Sequence, residues 1–221
     1  MALLWEQHCY LPLSWEARVG SLSRYQQSAG KVVSVNVGYA PHNGSDVLGL
    51  LHAFRRGVSA DERLLLIDAE DDIAAAEATG RVGVIFDLED CGPLEGELGR
   101  IGQFYDLGVR TMVLTYNRRN AAGSGCLDAE DEGLTAYGRA VVQEMNLVGM
   151  VVDGSHCGAR TGLELSAAST VPMIYSHSCM RSVWGPRAQH HRRPSQGLRR
   201  HRRRRGHHRR RDLPRSQRRV P

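Results

Sequence analysis

Residues 82–90, VGVIFDLED, read as a buried strand that ends in a cluster of acids. The run is continuously apolar rather than alternating, as expected for a parallel strand covered on both faces. Five further runs share this character: LLWEQHCYL (3–11), KVVSVNVGY (31–39), TMVLTYN (111–117), GMVVDGSH (149–156) and VPMIYSHS (171–178). Helix-period patterns lie between them at about 45–56, 69–78, 96–107, 134–147 and 159–168. Gly80, Gly108 and Gly149 sit just before strands, where a helix needs a stop. Alternating β and α units predict a parallel sheet, either an open doubly wound sheet or a (β/α)8 barrel. The stretch SWEARVGSLSRYQQSAG (14–30) is poorly periodic and predicts a loop with some helix.

The 221 residues, 41% hydrophobic, are enough for one core plus a tail. The formal net charge of +5 conceals two opposite pieces. Of the 29 Lys and Arg, 15 are arginines at 187–221, and of the 24 acids only Asp212 lies there. Residues 1–186 therefore carry 14 bases against 23 acids, and the basic character belongs to the tail. This gives a predicted domain at 1–186 and an Arg/His-rich segment at 187–221 that cannot bury a core and is expected to be disordered. Lys31 is the sole lysine of the chain. An abrupt change to Arg, His, Pro and Gly is also what an out-of-frame reading of GC-rich DNA produces, which sequencing the locus tests.

Five scattered cysteines without CxxC spacing point to free thiols and a reducing, cytoplasmic setting. No apolar run is long enough for a membrane span, and the N-terminus lacks the features of a secretory signal. The arginine tail predicts salt-sensitive attraction to phosphates but has no aromatic residue to stack bases, so no specific nucleic-acid partner is expected.

Unusual polar residues collect where the strand-like runs end. They are His8; Glu89, flanked by Asp87 and Asp90; Tyr116 and Asn117; Asp153 and His156; and His177. In parallel α/β folds the chemistry lies at these C-terminal strand ends. Asp87 and Asp90 read as caps of the following helical turn. Three histidines and a glutamate from different strand ends fit the ligand set of catalytic zinc, which combines imidazole nitrogen with carboxylate oxygen and leaves a position open.

The segments GVRTMVLTYNRRN (108–120), GLTAYGRAVVQEMNLVGMVVDGSH (133–156) and VPMIYSHS (171–178) resemble the membrane dipeptidase family of zinc metallopeptidases. The resemblance extends over about residues 3–184. It implies a TIM-type (β/α)8 barrel, here incomplete with about six β/α units, and hydrolysis of dipeptide-like small substrates by a zinc-activated water. By the same resemblance His8, Glu89, His156 and His177 are metal ligands, with Glu89 in the bridging position. Tyr116 and Arg187 fall at or near substrate-binding positions, and Asp153 is a carboxylate supporting the ligands. The family holds two zinc ions. Tyr10 stands where its first strand has an aspartate, and its last aspartate ligand has no counterpart. One well-held zinc, on Glu89, His156 and His177, is therefore expected. The resemblance also implies a homodimer. An inactive truncated fragment is the alternative, and six of eight strands would leave open edges and low stability.

Overall fold

The computed structural model describes residues 4–27 and 31–178. Among these, six strands form one parallel sheet: β1 Leu4–Cys9, β2 Lys31–Asn36, β3 Leu64–Leu66, β4 Val82–Leu88, β5 Val109–Val113 and β6 Val151–Asp153. Five helices intervene: α1 Gly44–Ser59, α2 Asp71–Thr79, α3 Gly99–Asp106, α4 Ala136–Val148 and α5 Ala159–Ala168. The result is an α/β part-barrel: the alternation predicted its parallel sheet, and the family resemblance implied the incomplete barrel. No described helix is long and apolar enough to cross a membrane.

The helix ends follow local chemistry. Asn43 caps α1 by accepting from the Asp46 amide, and the Asp46 carboxylate accepts from the Asn43 amide in return. The Thr135 hydroxyl oxygen accepts from Gly138 N at 2.9 Å and opens α4. At Gly149 the chain turns left-handed, φ 86°, and closes α4. Residues 19–27 of the weakly periodic N-terminal connection form a 3-10 helix.

Strand β4 organises the sheet. Along one edge it pairs with β2 throughout, from Lys31 against Val82 to Asn36 against Asp87. Along the other it is shared. Strand β3 takes the first half (Leu64 against Val82, Leu66 against Val84) and β5 takes the second (Phe86 against Val109, Leu88 against Met112). The sequence reading missed β3, because three leucines without alternation carry no strand signature. It also overextended the sixth run. Residues 171–178 contribute only an isolated parallel bridge, Ile174 with Asp153. Arg187 and the arginine-rich tail lie outside the described residues.

Alternate residues of β2 and β4 serve different ends. Val33, Val35, Val84, Phe86 and Leu88 join a continuous core with Phe54 of α1, Phe104 of α3 and Met145 of α4. Each such large side chain contributes about 1.5–3 kcal/mol through burial. The intervening residues Ser34, Asn36 and Asp87, together with Glu89 just beyond β4, are polar and buried on the opposite face. That face carries the site.

Candidate metal centre

Glu89 follows β4 by one residue, and the pairing continues past the strand end to hold it: Glu89 N donates to Gly38 O at 2.9 Å. Its two carboxylate oxygens have separate tasks. Oε2 accepts from Asn36 Nδ2 at 3.0 Å, which fixes the plane of the group. Oε1 faces three imidazoles, with Nε2 of His156 at 3.1 Å and Nε2 of His8 and of His177 at 3.5 Å each. His8 reaches Glu89 from β1 although β2 lies between their strands. The short inward side chains of β2, Ser34 and Asn36, leave it room.

Each imidazole is held by its other nitrogen. His8 Nδ1 lies 3.0 Å from Asp87 Oδ1, His156 Nδ1 lies 3.0 Å from Asn117 Oδ1, and His177 Nδ1 lies 2.6 Å from Ser176 Oγ. The Ser176 hydroxyl in turn donates to Asp153 Oδ2. Asp153 thus supports His177, through a serine. Asp87 caps nothing: contrary to the sequence reading, it anchors His8. Asp90 accepts from Gly92 N, as a cap would, and also from Tyr116 N at 2.9 Å.

His156 Nε2 is buried and has no aligned hydrogen-bond partner, even at 3.1 Å from Glu89. An orphaned imidazole nitrogen directed at a carboxylate, with its ring oriented from behind, is the donor arrangement a metal ion requires. The residues present therefore fit a metal. The tightest donor set differs from the expected Glu89, His156 and His177. Ligand atoms of His8, Glu89 and His177 all lie within 4.8 Å of one another. The His8 and His177 rings stack at 4.2 Å, while His156 stands at the flank of this set.

Aromatic side chains form the adjoining wall. Tyr116 packs on His156 at 4.7 Å between centroids and on Tyr39 at 5.2 Å. Tyr10 is 54% exposed and supplies no carboxylate. Burial, the Tyr39 hydroxyl and the charge of Glu89 push its phenol up to about 12. The sequence reading gave no role to Tyr39, Asn36, Ser34 or Ser176. Ser34 and Asn36 were detectable as the only polar positions, two apart, after Lys31 in KVVSVN.

Electrostatics hold His8 and His156 charged when no metal is present. Burial lowers the His8 pKa, but Asp87 and Glu89 outweigh it and raise it from 6.5 to about 10. Full burial pushes the Asp87 carboxyl up against the pull of His8 and the Ser34 hydroxyl. Burial likewise opposes, and Cys126 and Glu89 overcome it to raise, the His156 pKa to about 9. Burial raises and the three histidines lower the pKa of Glu89, and the histidines win. Groups with raised pKa stabilise the fold fully below their unfolded value and lose that contribution as pH rises through the folded value. The metal-free chain should thus lose stability between about pH 6.5 and 10, and separately as pH falls below about 4.5, where Glu89 takes up a proton in the unfolded chain before the folded one. Denaturant midpoints measured across pH 5–10 check this, and zinc should stabilise far more at pH 8.5 than at pH 5.5 because it displaces protons. A midpoint unchanged from pH 6.5 to 10 would show that His8 and His156 are neutral.

Residues 24–192 match the model of the membrane dipeptidase family, peptidase family M19. The chain belongs to this family. An uncharacterised dipeptidase of Schizosaccharomyces pombe is 38% identical over 120 residues, covering 52% of this chain and 29% of that protein. Dipeptidase 3 of Rattus norvegicus is 33% identical over 135 residues, covering 58% and 27%. This membrane dipeptidase family chain thus matches less than a third of the length of either relative. Among solved structures, an amidohydrolase of Pseudomonas aeruginosa superposes with a TM-score of 0.70 at 25% identity, over 80% of this chain and 53% of that one. A metallopeptidase of Rhodobacter sphaeroides, liganded with a phosphinate mimic of L-Ala-D-Ala, gives a TM-score of 0.64 at 17% identity, over 82% and 66%.

Proposed function

We propose that the chain is a metal-dependent hydrolase of dipeptides, with one zinc held by Glu89 and the surrounding imidazoles of His8, His156 and His177. The observation that carries this reading is the convergence of three Nε2 atoms within 3.5 Å of one carboxylate oxygen. Membership of the family and the dipeptidase relatives support it. Zinc in such a donor set supplies Lewis acidity, which activates water and polarises a peptide carbonyl.

The protein's own groups do the rest. Asp87, Asn117 and Ser176 fix the rings from behind, so little reorganisation is needed when the site fills. Tyr116 and Tyr39 offer an aromatic wall for a substrate side chain. Tyr10 cannot act as a carboxylate ligand, which favours one ion over two.

Elemental analysis of the purified chain tests the proposal, with dipeptide hydrolysis followed in parallel. One zinc per chain is expected, with both metal and hydrolysis lost in His177→Ala. Zinc retained undiminished in His177→Ala, or hydrolysis that survives complete chelation, would sink it.

A further inference from the structure

Strand β1 does not by itself aim His8. Its pairing with β2 slips between Glu6, opposite Val33, and Cys9, opposite Val35. Three steps on β1 face two on β2, which is a bulge, and His8 lies inside it. A bulge frees the side-chain direction from the ladder. Something other than backbone pairing must fix the ring, and the group in contact is Asp87.

We propose that Asp87 is a positioning residue for metal binding: it holds the His8 ring within the bulge and keeps the proton on Nδ1, leaving Nε2 as the donor. This rests on the metal reading above. Asp87 is itself fixed. It is 3% exposed, its Oδ1 lies 3.0 Å from His8 Nδ1, and its Oδ2 accepts from Ser34 Oγ at 2.6 Å. Both oxygens are engaged, and the residue is outside the set of converging donors. Ser34 on β2, Asp87 on β4 and His8 on β1 form one hydrogen-bonded line across three strands. With Nδ1 bonded to a carboxylate, the imidazole lone pair sits on Nε2, toward Glu89. The other tautomer would place a proton there instead and block the ion.

Zinc affinity is measured by competition with a chromogenic chelator for the full chain, Asp87→Ala, Asp87→Asn, His8→Ala and the His8→Ala/Asp87→Ala double variant. Asp87→Ala should weaken binding by about 10–100-fold. Asp87→Asn keeps an acceptor for Nδ1–H and should lose less than about tenfold, which preserves the comparison if the alanine variant does not fold. On the His8→Ala background Asp87→Ala should cause no further loss, because Asp87 acts through that ring. The proton NMR spectrum of the zinc-loaded chain should show an exchange-protected imidazole N–H that is absent from both single alanine variants. Equal affinities for the full chain and Asp87→Ala, or an undiminished effect on the His8→Ala background, overturn this inference alone. Failure of the full chain to bind zinc overturns the metal reading and this inference with it.

Discussion

Replacing Glu89 by glutamine should lower zinc affinity by more than about 100-fold, beyond the loss expected for removing a group that merely orients a ligand. The reason is that one oxygen, Oε1, faces all three imidazoles within 3.5 Å. Glutamine retains the shape and can still bond Asn36. It removes the negative charge that balances a divalent ion, and turning its amide nitrogen inward would meet Nε2 atoms with a donor. The substitution should also flatten the pH dependence of the metal-free chain, since Glu89 helps to hold His8 and His156 protonated. Titration of zinc against a competing chelator reads the first effect and denaturant melts at pH 6 and 9 read the second. Zinc bound by Glu89→Gln within tenfold of the parent would remove Glu89 from the centre of the site.

Gly125→Ala should be severely damaging although it lies outside the donor set. A Cβ at Gly125 would stand 2.3–2.5 Å from the backbone C and O of Asn117 and the N of Arg118. No side-chain rotation relieves a clash with backbone. The surrounding turns are already unusual: Asn117 and His156 adopt left-handed conformations, φ 53° and 62°. Such conformations cost about 1–3 kcal/mol each and persist because neighbours enforce them. Here the enforcing bonds come from the residues next to Gly125. Cys126 N donates to His156 O at 2.7 Å and Leu127 N to Asn117 O at 2.8 Å. Pushing this strand of chain away loosens both the His156 ring and the Asn117 that orients it. A loss of about 3 kcal/mol is expected, a fall in melting temperature on the order of 10 °C, together with weaker zinc binding. An unchanged melting temperature would mean the close approach is not maintained.

Much of the architecture was legible because its signals are local. The helix patterns around 45–56 and 134–147 match α1 and α4, and Gly149 marks the end of α4 in the sequence itself. The histidines and Glu89 were recognisable by their place at strand ends. Asp87 was misread because its partner, His8, is 79 residues away on a strand that is not its neighbour in the sheet. That contact depends on the small inward residues of β2 and on a bulge, neither of which the apolar pattern encodes. Strand β3 escaped for a related reason: it exists because half an edge of β4 is free to pair, not because Leu64–Leu66 favour strand.

The donors at His8, Glu89, His156 and His177 come from separate β/α units, so no short peptide of this chain contains the centre. Its assembly requires β1, β2, β4 and β6 to be in register first, and such long-range closures come late in folding. Zinc should therefore leave the refolding rate unchanged and act on the escape from the native state, slowing unfolding in proportion to its occupancy. The ion would work as a latch on a finished structure rather than as a seed for it.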